Sequence, residues 1–151
     1  MAMITVDTQF GRLGILEEDG AITKLVWDGV DDDPDSELLQ EAAAQLRAYD
    51  AGKLENFDLP LRVEGSDMQK AVCAAMSEIP FGYTRTYGEL AKELGYSAQS
   101  VGQGCGGNPI PVIIPCHRVM GAKGLTGFSG KGGVETKVAL LRHEGAAGLL
   151  I

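Results

Sequence analysis

Between Ser66 and Gly107 the chain carries three helix-start signals at short intervals, and this spacing restricts the fold more than any other feature. Ser66 followed by Gln69 is a capping box, and Thr86 followed by Glu89 is a second. Ser97 can cap a third helix running from Ala98 to about Gly106. Stops follow closely, with Pro80 beyond the first helix and Gly95 ending the second. Only short helices fit, and short helices are marginal in water unless they pack on something. The second and third are separated only by Gly95-Tyr96-Ser97, the pattern of a helix-turn-helix. Such pairs are also common packing units, so the pattern admits a structural role as well as a DNA-binding one.

The third helix contains VGQGCGG, Val101–Gly107, with four glycines in seven residues. Each glycine costs a helix up to ~1 kcal/mol relative to alanine, so close approach of another surface should offset them. That surface is either a neighbouring helix or strand of the same chain, or a sugar-phosphate groove too narrow for long side chains. The glycines alone leave both open.

Upstream the period changes. Met3–Val6, Leu13–Leu16 and Ile22–Trp27 are short apolar runs, with Gly11 and Asp19-Gly20 where hairpin turns belong, and they predict a small antiparallel sheet. Asp28–Asp35 (DGVDDDPD) reads as a solvated acidic loop, since no glycine and glutamate follow at calcium-loop spacing. Asp35 or Ser36 then caps a helix to about Ala51, with Leu39, Ala43 and Leu46 on one face and Gly52 as its stop. Phe57–Val63 is a short extended piece. A chain of 151 residues supports one core or two tightly joined lobes. The expected class is α/β (α+β), with an α/β lobe over residues 1–62 and a mostly helical lobe over 63–151.

Charge separates the same two lobes. Residues 1–64 hold 5 Lys/Arg against 15 Asp/Glu, a net of -10, and residues 65–151 hold 8 against 6, a net of +2. The first would repel a phosphate backbone and the second is mildly basic, so any DNA binding should be weak, short in footprint and aided by shape. No apolar run approaches the ~20 residues of a membrane helix, and MAMITVDTQF shows no secretory signal. With three cysteines, Cys73, Cys105 and Cys116, and no paired spacing, free thiols in a cytoplasmic protein are expected.

The densest chemistry lies in Asn108–Val119. Val112–Ile114 reads as a buried strand ending at Pro115, with Cys116 and His117 at its exit. A cysteine reacts as the thiolate and needs a nearby base, which His117 can supply directly or through water. Such a base usually has an orienting acid, and Glu144 stands in an apolar context at the end of the last helix. Cys116, His117 and Glu144 are therefore a candidate triad, beside the plainer reading of a small buried thiol and a satisfied histidine. Cys105, Cys116, His117 and His143 are poorly spaced for a metal, and no metal or cofactor is expected. Gly124, Gly127, Gly130, Gly132 and Gly133 form a loop able to offer backbone N–H groups, without the Lys-Ser/Thr ending of a phosphate loop.

Five segments in order carry a resemblance. They are Ile79-Pro80-Phe81-Gly82-x₄-Tyr87-Gly88-Glu89-Leu90-Ala91, Asn108-Pro109-Ile110, Pro115-Cys116-His117-Arg118-Val119, Gly127-Phe128-Ser129-Gly130 and Leu140-Leu141-Arg142-His143-Glu144-Gly145. From about Leu39 to Ala147 the chain resembles the O6-alkylguanine-DNA alkyltransferase family. The resemblance implies an RNase H-like first lobe and a winged-helix-like second lobe, whose helix-turn-helix lies in the minor groove of DNA. It implies irreversible, single-turnover transfer of an alkyl group to Cys116 from O6-alkylguanine, with O4-alkylthymine a further substrate the reading admits. The target base is flipped out of the duplex. His117 and Glu144 would activate Cys116 through a water, and Tyr87 would donate a proton to the base. Asn108 would tie the recognition helix to the active-site strand. Val119 and Ser129 would offer backbone groups to the guanine, and Ser97, Gln99, Ser100, Arg118, Phe128 and Gly130 would complete the DNA and substrate contacts. A monomer with damaged DNA as its partner is implied.

The chain departs from the family at several positions. Gln99 stands where most members insert an arginine into the base stack, and glutamine offers no planar cation. Phe128 replaces the usual tyrosine of the substrate loop, and Asp67-Met68-Gln69 and Val72-Cys73 replace common aromatic pairs. Cys105 is either a second reactive thiol or a packing residue. These departures bear on DNA affinity and base flipping. The other readings are an alkyltransferase-like damage sensor, disfavoured because Cys116 is present, and a cysteine hydrolase, disfavoured because no residue activates a second water.

Overall fold

In a computed structural model, which describes residues 2–31, 36–121 and 133–146, the chain forms two compact units, Met1–Arg62 and Val63–Ile151. The first is built on an antiparallel sheet of β1 (Ala2–Thr8), β2 (Gly11–Glu18) and β3 (Ala21–Trp27), with β2 central. Asp19 and Gly20, at φ 48° and 80°, turn the chain between β2 and β3, the left-handed geometry that aspartate and glycine tolerate. The helix α1 (Glu37–Asp50) starts where Ser36 accepts from the Leu39 amide, and it lays Leu39, Ala42, Ala43, Leu46 and Tyr49 against β1 and β2. The extended piece covers the far edge of the sheet, with the Ile22 amide donating to Pro60 and the Arg62 amide to Ile22. Of the acidic loop, residues 32–35 lie outside the described residues. Asp31 is fastened to β1 by the amide and hydroxyl of Thr5 at 2.7 and 2.9 Å.

The second unit runs α2 (Asp67–Ser77), β4 (Arg85–Thr86), α3 (Tyr87–Leu94), α4 (Ala98–Gly106), β5 (Val119–Met120) and α5 (Val134–Glu144). The starts of α2, α3 and α4 follow the sequence pattern with one difference. Thr86 and Glu89 complete their capping box in both directions, whereas at Ser66 only half of the box forms. The Gln69 amide is turned to α4 instead, donating to the Gly104 carbonyl at 2.8 Å. A cross-helix acceptor left bare would cost more than an exposed cap, so the side chain serves the interface. Val72, Cys73, Ala75 and Met76 form the buried face of α2, and Met68 is only half-buried. Gly95, at φ 77°, ends α3, and Ser97 starts α4 by accepting from the Ser100 amide, which gives the close pair of a helix-turn-helix. No helix among the described residues is long and apolar enough to cross a membrane.

The glycines of α4 divide into two groups. A Cβ on Gly104 would stand 3.0 Å from the Val72 side chain, and one on Gly107 would stand 2.7 Å from the Gln69 amide oxygen. Gly102 and Gly106 would meet nothing within 4 Å. Packing thus accounts for Gly104 and Gly107 and leaves the other two facing open space. Gly104→Ala is expected to destabilise the protein by about 1–3 kcal/mol through overpacking. Gly102→Ala is expected to stabilise it by about 0.5–1 kcal/mol through reduced chain entropy. Urea unfolding of the two variants would check both signs.

The expected strand at Val112–Ile114 does not form. The segment is a tight buried turn, with the Ile114 amide donating to the Ile110 carbonyl and Val112 at φ 74°, a conformation β-branched residues rarely adopt. Pro109, Pro111 and Pro115 lack the amide donors that a ladder needs, so the apolar run buries as a turn.

Candidate active site

The turn is shaped around one side chain. Asn108, buried just beyond the end of α4, accepts from the Ile110 amide at 3.0 Å and donates to the Ile114 carbonyl at 2.9 Å. The chain leaves this turn through Pro115 into a single 3-10 turn, Cys116–Arg118, so Cys116 is mounted on a turn rather than on a strand end. Cys116, His117 and Arg118 are all buried. From there the chain enters β5, which pairs in parallel with β4, Arg85 opposite Val119 and Thr86 opposite Met120. That pairing brings the start of α3, where Tyr87 sits half-buried, alongside Val119.

The helix α5 supplies the remaining groups from one face, since Lys137, Leu140, Leu141 and Glu144 recur at helical spacing and are all buried. The Glu144 carboxylate lies 2.8 Å from Nε2 of His117. It also receives Nε and a second guanidinium nitrogen of Arg118, at 2.8 and 2.9 Å. A third Arg118 nitrogen donates to the Ile79 carbonyl at 2.6 Å, and the guanidinium lies over the Phe81 ring. Gly82, at φ 86°, approaches the Glu144 carbonyl, where a Cβ would stand 3.5 Å away. The Ile79–Gly82 motif is therefore a wall of this site. Lys137 donates to the Val119 carbonyl at 2.7 Å.

Electrostatics follow from burial and these partners. Burial raises the Glu144 carboxyl, but the hydrogen bonds from His117 and Arg118 together outweigh it and hold the group at about 2. An ionised carboxylate only accepts, so the neutral His117 ring carries its proton on Nε2 and has its lone pair on Nδ1. Nδ1 is buried with no hydrogen-bond partner in the structure. Burial also lowers the His117 pKa, which keeps the ring neutral. The Cys116 thiol is pushed up to about 11 by burial, against the lowering influence of Asn108 and Lys137. Burial and the nearby Cys116 push Cys105 up to about 12, and no histidine adjoins it in the chain as His117 adjoins Cys116.

The structure thus brings together Cys116, His117, Glu144 and Asn108, with Tyr87 carried alongside through β4 and β5. Two of the expected DNA and substrate groups are otherwise engaged. The Arg118 side chain is buried on Glu144, and the Val119 carbonyl accepts from Lys137. Ser97 and Gln99 are exposed and Ser100 half-buried on the first turn of α4, where Ser97 and Ser100 hydrogen-bond to each other. Phe128, Ser129, Gly130 and most of the glycine loop lie outside the described residues. Lys137 escaped the sequence reading, although a lysine seven residues before Glu144, in step with Leu140 and Leu141, was a legible signal of a buried cation. Among the described residues no group of three His, Cys, Asp or Glu side chains is placed to hold a metal ion.

A buried cysteine, a histidine oriented by a carboxylate and an adjoining helix-turn-helix define a protein with a thiol site at the edge of a DNA-binding type of fold. Comparison with known families makes this specific. The DNA binding domain of 6-O-methylguanine DNA methyltransferase matches residues 67–146, and the ribonuclease-like domain of the same proteins matches residues 1–63. The chain belongs to the 6-O-methylguanine DNA methyltransferase family. It is 49% identical over 113 residues to the methylated-DNA–protein-cysteine methyltransferase of Methanosarcina acetivorans, covering 73% of this chain and 71% of that one. The protein of the same name from Mycolicibacterium paratuberculosis is 40% identical over 150 residues, covering 93% and 90%. The structure of Mycobacterium tuberculosis OGT in complex with DNA superimposes with a TM-score of 0.84 at 39% identity, covering 97% of this chain and 95% of that one.

Proposed function

We propose that this chain repairs alkylated DNA by moving the alkyl group from O6 of a flipped guanine to Cys116, once per molecule. The observation that carries the reading is the His117–Glu144 pair, which leaves an unprotonated Nδ1 on the residue next to the only site cysteine aligned with the family's Pro-Cys-His-Arg. In the reaction the Cys116 thiol gives its proton to His117 Nδ1 through a water, and the thiolate attacks the alkyl carbon. A sulfur–carbon bond forms, the carbon–O6 bond breaks, and its electron pair leaves with the guanine, which takes a proton from Tyr87. Burial lowers the Lys137 pKa, and a thiolate at Cys116 raises it, so the lysine ammonium and the thiolate favour each other. Nothing regenerates the thiol, so the reaction ends with the modified protein.

DNA enters this reading through α4. Gln99, Gly102, Gln103 and Gly106 recur at i, i+3, i+4 and i+7, an uncharged face on which neither glycine is filled by the protein. Such a face suits a narrow groove, and the acidic first unit argues against a long electrostatic footprint. Gln99→Arg is expected to tighten duplex binding several-fold at low salt and to steepen the salt dependence by about one unit of log–log slope, for one added phosphate contact. Fluorescence anisotropy across a salt series would read both.

The test of the reaction is intact-protein mass spectrometry after incubation with excess DNA containing O6-methylguanine, followed by peptide mapping. One methyl group per molecule, on Cys116, is the expected result. Repeated turnover, or no adduct despite binding of the damaged DNA, would overturn the reading.

A further inference from the structure

We propose that Arg118 is a positioning residue for the transfer, clamping Glu144 so that His117 keeps its proton on Nε2 and presents an unprotonated Nδ1. This rests on the alkyl-transfer reading above. Arg118 makes two bonds to the carboxylate, one to each oxygen, and a third anchors it to the Ile79 carbonyl. Glu144 Oε2 is shared between Arg118 and His117, so the position of the guanidinium fixes the direction in which the carboxylate meets the imidazole. Three of the five guanidinium N–H groups are committed inside the protein, and the side chain is buried, so its work is done within the site. The fork geometry is what a lysine cannot reproduce.

The clamp also decides where charge resides. A buried carboxylate requires a compensating cation. With Arg118 in place Glu144 is balanced without His117, and the imidazole remains neutral and able to accept a proton. With Arg118 removed, the nearest compensation is a proton on His117, which abolishes the base. The charged groups acting on His117 are Glu144 and Lys137 from α5 and Arg118 from its own turn, with Cys116 adjacent in the chain. Cys73 on α2 acts on Cys116, and Cys116 in turn acts on Cys105 on α4; burial raises all three thiols and keeps them neutral. Lys137 pushes His117 in the same direction as Arg118 but has its hydrogen bond on Val119, so it does not replace the clamp.

The experiment compares the wild type with Arg118→Met and Arg118→Lys, using ¹⁵N NMR of the His117 ring against pH and the pH profile of single-turnover methyl transfer. The wild type should show the Nε2–H tautomer, neutral at pH 7. Arg118→Met should raise the His117 midpoint by about 1–3 units and shift the acid limb of the rate profile with it. Arg118→Lys should hold the midpoint near that of the wild type while losing about 10- to 100-fold in plateau rate, because charge returns without the fork. An Arg118→Met protein with the wild-type midpoint and profile would overturn the proposal. Where that variant does not fold, Arg118→Lys with an undiminished plateau rate overturns it equally. If the wild type itself transfers no methyl group, the alkyl-transfer reading fails, and the His117 tautomer and midpoint still decide the role of Arg118.

Discussion

Cys116→Ser is expected to abolish methyl transfer, a loss on the order of 10⁴–10⁶-fold, the scale at which removal of a covalent nucleophile acts in other enzymes. The thiol is already raised to about 11 by its burial. A serine hydroxyl in the same place is a far weaker acid, beyond what His117 Nδ1 and Lys137 can compensate. Oxygen is also less nucleophilic toward a saturated carbon than sulfur. The side chain is nearly isosteric, so the unfolding midpoint should change little and the loss can be assigned to chemistry. Quenched-flow assay of labelled O6-methylguanine DNA, with intact mass of the product, measures it. An adduct at Cys105 in this variant would move the acceptor to α4. Residual transfer at a tenth of the wild-type rate would remove Cys116 from the mechanism.

The starts of α1 to α4, the Asp19-Gly20 turn and the end of α5 at Glu144 were legible, because each is decided within a few residues by capping or backbone geometry. The buried run after Asn108 was not. Apolar periodicity cannot tell a short strand from a buried turn, and here the three prolines outweigh the strand preference of Val112, Ile113 and Ile114. The site shows the same division. Cys116, His117 and Glu144 could be named from residue type and position, since a thiol, a base and an acid are a recognisable set. The resemblance places Arg118 among the DNA and substrate contacts, and nothing local in the sequence records that Ile79 and Glu144 converge on it. The separation is 39 residues on one side and 26 on the other, and only the folded chain closes it. The glycines of α4 needed the structure for the same reason. Gly104 is explained by Val72 on another helix, and Gly102 stands out only once it is found to touch nothing.

Glu144→Ala is expected to destabilise the protein by about 3–5 kcal/mol, the largest stability effect among these substitutions. It strands the Arg118 guanidinium in the interior with one carbonyl acceptor and leaves the His117 Nε2 proton unpaired. Transfer should fall with it, since the tautomer of His117 is no longer fixed. The pH dependence of stability separates this ion pair from ordinary packing loss. In an unfolded chain a glutamate titrates near ~4.3, and in the fold Glu144 is held at about 2. Over that window the unfolded chain binds a proton that the folded chain refuses. The contribution is complete above ~4.3 and is lost as pH falls toward about 2, a total on the order of 3 kcal/mol. His117 adds a decline in the same direction at higher pH, because its folded pKa lies below the ordinary ~6.5 and acid favours the state that can protonate it. Urea midpoints measured from neutral pH downward should therefore fall in two stages in the wild type. The Glu144→Ala protein should keep the upper stage and lose most of the lower one, with the exposed Asp31 and Glu89 leaving a small remainder. Two parallel curves, offset by a constant, would show that Glu144 stabilises the protein by packing and that its charge plays no part.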